Sequence, residues 1–220
     1  MCGAKDFAGF LKLRERYSVS LELEFSRKNA SGLQRMISFL DWEPNAYATG
    51  FFVGNGLLIT AYHVVSGNLD TSKMIALGFD RKDQLKVTVH ANGCPARVIK
   101  VDEEADLALL QVCGISGQAN FPTFQSTVTK DEELLIIARP HGQKVVGRGT
   151  FYGSYNFKGI EYWSGRVEAR DGFSGSPVYN EHGELVGVFS GYDWSQKLAV
   201  ISPGARAKKL VDELISKPSP

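Results

Sequence analysis

With 220 residues, 43% of them hydrophobic and 11% aromatic, the chain can bury about 70% of the surface its unfolded form exposes. That excludes a disordered polypeptide and removes any need for a disulfide or metal to hold the core. Lys and Arg number 25 against 24 Asp and Glu, with no long run of either sign, so nucleic acid and a polybasic membrane contact are not expected and a protein or peptide is the expected partner.

Three cysteines, Cys2, Cys94 and Cys113, form an odd set without metal-ligand spacing, which predicts neither a zinc site nor a disulfide framework and favours a reducing compartment. Residues 1–17 carry charges around a short apolar patch instead of a secretory core, and no apolar run reaches bilayer length, so the expectation is a soluble, cytoplasmic chain.

In chain order, Phe7, Phe10, Leu11 and Leu13 predict a short helix, and the alternation Val19, Leu21, Leu23, Phe25 predicts a half-buried strand over residues 17–25. A second helix is expected from Ser31, with Leu33, Met36, Ile37 and Leu40 as its stripe, ended by the Pro44-Asn45 turn. Residues 1–45 read as an extension that docks a regulatory partner or restrains a site, not as an independent domain. From residue 46 the pattern turns to β. Short apolar runs at residues 50–53, 56–61, 86–89, 97–101, 107–112, 134–138, 145–152, 160–164, 176–179 and 185–190 are divided by Gly, Asn, Asp and Pro turns, which implies an all-β sandwich or barrel. Ala205, Leu210, Val211 and Leu214 mark an amphipathic helix over residues 204–215, followed by a Pro-containing tail over 216–220.

The segment carrying the most chemistry is Gly172-Phe173-Ser174-Gly175-Ser176-Pro177. It reads as a tight turn that presents a serine, with the N–H groups of Gly172 and Ser174 as two donors for a developing oxyanion and Gly175 letting the chain leave without a Cβ at the site. A Gly-Ser hairpin loop ahead of a Pro-edged strand is the plainer alternative. Serine needs a base, and of four histidines only His63, ending the apolar run of residues 58–65, is placed to project into a cleft; His90, His141 and His182 sit in strand or turn contexts that solvent exposure explains. Asp106, opening the hydrophobic run Asp106-Leu107-Ala108-Leu109-Leu110, would be costly there without a dedicated partner.

These three motifs, T-A-Y-H-V, D-L-A-L-L and G-F-S-G-S-P in the order His, Asp, Ser, resemble the chymotrypsin-like (trypsin-like) serine proteases, nearest in character to their bacterial HtrA-type and glutamyl-endopeptidase branches. The resemblance spans residues 47–215 and includes the entry at residues 49–53 and the strand Gly187-Val188-Phe189-Ser190-Gly191. It implies two six-stranded antiparallel β-barrels, the first over about residues 46–115 and the second over about 120–203, with the site between them. His63 and Asp106 would come from the first barrel and Ser174 from the second. It further implies that Ser190 supports the aspartate, and that Ser190, Gly191 and Tyr192 bind an extended substrate, with no metal or cofactor.

Two departures bear on activity. Phe173 stands where these relatives carry Asp or Asn, so activation by a new N-terminal ammonium paired with that Asp is not expected. Tyr62 replaces a small residue before the histidine. Counting back six residues from Ser174 places Glu168 at the floor of the primary pocket, which would favour Lys or Arg before the cut; a solvent-facing Glu is the competing reading. The leading expectation is therefore a serine endopeptidase. The alternative is an inactive relative kept as a peptide-binding or scaffolding module, with Phe173 spoiling the oxyanion hole. An esterase fits poorly, because its nucleophile elbow leads into a helix and Ser174 leads into a strand.

Overall fold

Alternation at Val19, Leu21, Leu23 and Phe25 becomes β1 (Ser18–Arg27), whose four apolar side chains are buried while the residues between them face outward. The computed structural model describes residues 7–28, 44–114 and 122–215, so the helix expected from Ser31 lies outside the described residues. Six antiparallel strands close the first barrel in the order β1-β2-β3-β6-β5-β4, with β2 (Ala46–Gly54), β3 (Leu57–Ala61), β4 (Leu85–Ala91), β5 (Cys94–Asp102) and β6 (Leu107–Val112). A second closed barrel follows in the order β10-β11-β12-β9-β8-β7, with β7 (Glu133–Ala138), β8 (Val145–Phe157), β9 (Ile160–Val167), β10 (Pro177–Asn180), β11 (Leu185–Asp193) and β12 (Leu198–Pro203). Among the described residues the α-helices are few: α1 (Phe7–Arg14), α2 (Tyr62–Val65), α3 (Thr71–Ala76) and α4 (Gly204–Ile215).

One boundary needs correction. The sequence reading began the barrel at residue 46 and left β1 in an extension, but β1 pairs with both β2 and β4 and so closes the first barrel. Without it those two strands would each present an unpaired edge, which closure exists to remove. Its period was legible; its partners, at Tyr47 and His90 opposite Glu22 for example, were not. β12, α2 and α3 were not anticipated. α3 starts on Asp70, whose carboxylate accepts the Lys73 N–H at 2.9 Å, a capping arrangement that satisfies one of the free donors of the first turn.

The barrels meet through a shared core. Phe51, Val53, Ile59, Leu107 and Leu109 of the first pack with Leu135, Ile137, Tyr179 and Val188 of the second, and Ala207, Leu210 and Val211 of α4 close over the seam. Strands at this seam are covered on both faces, which is why β7 is apolar at every position after Glu133 and β3 at every position except the buried Thr60, without alternation. Arg206 locks α4 to the end of β5, its Nε and Nη2 donating to the two oxygens of Asp102 at 2.8 and 2.7 Å. Burial pushes the Asp102 carboxyl up, but the hydrogen bonds from Arg206 and the Ala105 N–H outweigh it and leave it below the usual range.

Candidate active site

Asp106 sits in the turn entering β6 with a left-handed backbone, φ +52°, and its carboxylate draws three donors. Oδ1 accepts the backbone N–H of His63 at 2.8 Å, while Oδ2 faces His63 Nδ1 at 2.8 Å and also accepts the Ser190 hydroxyl. An ionised carboxylate is acceptor only, so this pairing puts the imidazole proton on Nδ1 and leaves Nε2 as an acceptor. Nε2 lies 2.9 Å from Ser174 Oγ. His63 is delivered by the step from β3 into α2, which the Tyr62 N–H fixes by donating to the Asp106 carbonyl at 3.0 Å. The side chains of Asp106 and His63 are 14% and 40% exposed: the acid is shielded while the base opens to the cleft.

Ser190 reaches the aspartate because β11 carries a bulge. Phe189 pairs with Ile201 and Gly191 with Val200, leaving Ser190 as the extra residue, and a bulge re-aims a side chain that regular alternation would have sent elsewhere.

Ser174 stands on a loop with left-handed glycines on either side, Gly172 at φ +86° and Gly175 at φ +82°. A Cβ on Gly175 would lie 2.1 Å from Thr60 Oγ1 and 2.2 Å from the Thr49 carbonyl. Glycine is thus demanded there by close approach to the first barrel, a reason the sequence reading had assigned to clearance of the site. Among the described residues the N–H groups of Gly172 and Ser174 donate to no protein acceptor, whereas the Phe173 N–H donates to the Arg170 carbonyl at 3.2 Å. Phe173 is 2% exposed and lies in the interior of the second barrel with Val167, Val178 and Val186, its ring edge-on to Phe189 at 6.1 Å. Apolar burial anchors the loop where an ion pair would otherwise be needed.

Gly191 and Tyr192 line a cleft of about 600 Å³ that also takes in His63, Gly172, Ser174 and Ser190. Tyr47, His141 and Trp194, which the sequence reading did not single out for the site, line it too; the His141 ring packs on Tyr47 at 4.2 Å. A second cavity of about 550 Å³ adjoins on the other side of Ser190 and Gly191, walled by Tyr155, Phe157, Tyr162 and Trp194. Glu168 is the residue that does not join them. It is exposed, one position beyond β9, outside the lining of either cavity. Val167 before it points into the barrel, and the alternation along an extended chain turns the next side chain out.

A scan against family models matches residues 48–188 to the trypsin-like peptidase domain. No curated protein matches the chain. Among solved structures, the active form of the Rv3671c protease from M. tuberculosis superposes with a TM-score of 0.65 at 17% identity, covering 96% of this chain and 86% of that one. Its inactive form gives a TM-score of 0.61 at 16% identity, covering 93% and 91%. Those superpositions speak for the two-barrel fold, and the family match extends over more than half of the 220 residues. On that match, this chain belongs to the trypsin-like peptidase domain family.

Proposed function

We propose that the chain is a serine endopeptidase working through Ser174, His63 and Asp106 and an acyl-enzyme. The observation carrying this reading is the unbroken hydrogen-bond chain from Asp106 Oδ2 through His63 to Ser174 Oγ, at 2.8 and 2.9 Å. Ser174 Oγ attacks the peptide carbonyl as Nε2 takes its proton; the carbonyl π electrons move onto oxygen, where the N–H groups of Gly172 and Ser174 receive them. Collapse expels the amine, which takes the proton back from Nε2, and water repeats the sequence on the ester. Asp106 holds the tautomer and stabilises the imidazolium. Because the imidazole must start as the free base, turnover falls in acid.

An extended substrate has a strand to pair with. β10 pairs with β11 only as far as Val188, and residues 190–193 of β11 are flanked by β12 on one side. Backbone at Ser190, Gly191 and Tyr192 therefore offers an edge for strand addition beside the nucleophile. With Glu168 turned to solvent, the only carboxylate in the lining of the cleft among the described residues is that of Asp171, which is exposed and lies beside Arg170. A preference for Lys or Arg before the cut accordingly has no buried anion behind it.

The test is covalent labelling by a fluorophosphonate together with peptide hydrolysis. Wild type should label and cleave, and Ser174→Ala and His63→Ala should do neither. Labelling that persists in Ser174→Ala would refute the assignment.

A further inference from the structure

Thr49 lies in β2, fully buried, and each of its polar groups is engaged. Its N–H donates to the Ser174 carbonyl at 3.0 Å, and its carbonyl accepts the Thr60 hydroxyl at 2.8 Å. Its own hydroxyl accepts the Arg139 N–H at 2.9 Å and donates to the Gly172 carbonyl at 2.8 Å. The direction of that last bond is forced: a backbone N–H and a carbonyl face one hydroxyl, so its single hydrogen goes to Gly172.

These contacts select particular peptide planes of the nucleophile loop. The plane joining residues 172 and 173 is held at both ends, its carbonyl by Thr49 and its N–H by the Arg170 carbonyl at 3.2 Å. So is the plane joining residues 174 and 175, its carbonyl by the Thr49 N–H and its N–H by the Phe189 carbonyl at 2.8 Å. Between these two lies the plane that carries the Ser174 N–H, and before them the plane that carries the Gly172 N–H; neither N–H donates to a protein acceptor among the described residues. Gly172 has no side chain to resist rotation, and its φ of +86° is one of several backbone states open to glycine. The two donors sit on the planes either side of the one after Gly172, so if that plane turned, they would no longer converge on the place where the oxyanion develops. The first barrel thus holds the loop of the second at two planes, through the hydroxyl and the N–H of one residue.

We propose that Thr49 is a positioning residue for the oxyanion hole, its hydroxyl fixing, through the Gly172 carbonyl, the peptide plane that links the two N–H donors and so their convergence on one point. The proposal rests on the serine-peptidase reading above. Substitution by valine keeps shape and volume while leaving the Gly172 carbonyl and the Arg139 N–H buried and unpartnered, and serine restores the hydroxyl.

The experiment compares wild type, Thr49→Val and Thr49→Ser in three ways. Active sites are counted by fluorophosphonate titration, so that a loss of folded protein is separated from a loss per site. Per titrated site, Thr49→Val should lower kcat about ten- to hundredfold with KM within about threefold, and weaken a peptide aldehyde, whose hemiacetal oxygen enters the hole, by the same factor. Thr49→Ser should return both to within about threefold of wild type. A purely structural role would lower the number of titrated sites and the melting temperature and leave the per-site constants alone, and that result would overturn the proposal. The third measurement needs no activity: crystal structures of wild type and Thr49→Val, in which the variant should show the Gly172 carbonyl moved off its wild-type direction and the Gly172 and Ser174 N–H groups no longer converging. A carbonyl still in its wild-type orientation would equally overturn it. If wild type shows no turnover that depends on Ser174, the peptidase reading fails by itself, and the pair of crystal structures still decides whether Thr49 holds the loop.

Discussion

Asp106 accepts from the His63 backbone, from His63 Nδ1 and from Ser190, and that convergence makes Asp106→Asn a sharp probe. Asparagine keeps one acceptor oxygen and puts two N–H donors where an oxygen stood. If the amide nitrogen faces His63, Nδ1 must become the acceptor and the ring proton moves to Nε2, where it can no longer take the Ser174 proton. Turnover in Asp106→Asn, measured on a peptide ester or amide, should therefore fall about 10⁴-fold while the protein stays folded, as it should in Ser174→Ala and His63→Ala. A different outcome belongs to Phe173. With the ring 2% exposed among the apolar side chains of the second barrel, Phe173→Ala should cost about 3–5 kcal/mol of unfolding free energy by denaturant titration, and Phe173→Leu distinctly less. Both predictions concern side chains that the local motif marked, yet the motif did not say that Phe173 serves by burial. Glu168 shows the reverse failure. Whether a residue just past a strand looks into a pocket depends on where the strand stops and on the twist of its neighbours, neither of which is written in six residues of spacing.

At the scale of elements, α4 is held to β5 by the paired hydrogen bonds of Arg206 on Asp102. The Asp102 carboxyl lies below its usual range in the folded chain, so the contribution is complete above the unfolded value of about 3.9 and is lost as pH falls through the lowered native value. Asp102→Asn should lower the melting temperature by about 2–4 °C at neutral pH, the equivalent of about 1 kcal/mol for a partly exposed pair. That difference should persist down to about pH 5 and shrink toward zero in stronger acid, as scanning calorimetry across the series would show. β1 carries the other element-level expectation. Since it bonds to β2 and β4 at once, a chain shortened to begin at residue 46 should lack a folded first barrel and give no cooperative unfolding transition of wild-type amplitude. Had residues 1–45 been only an extension, such a chain would fold normally.

Over the whole molecule, the two barrels are one cooperative structure because their seam is apolar from both sides: Ile59 and Leu109 meet Leu135, Ile137 and Val188 there. Ile137→Ala, far from any reacting atom, should cost about 2–5 kcal/mol of stability and lower the denaturant concentration at which activity is lost by the same proportion as that at which structure is lost. Activity surviving past the unfolding of either barrel would contradict a site built across them. By itself the sequence pointed to the side chains that meet at the candidate site and to a β body with helices at its ends, because a nucleophile turn, an apolar-flanked histidine and an aspartate entering a hydrophobic run are each local patterns, and strand periodicity is local as well. Tertiary structure alone decided what those patterns do together. The strand that closes the first barrel, the bulge that swings Ser190 onto Asp106, and the Thr49 hydroxyl reaching Gly172 across 123 positions of sequence all depend on partners brought near by barrel closure and docking. Distances of that kind are set by the three-dimensional arrangement of strands, which no window of neighbouring residues contains.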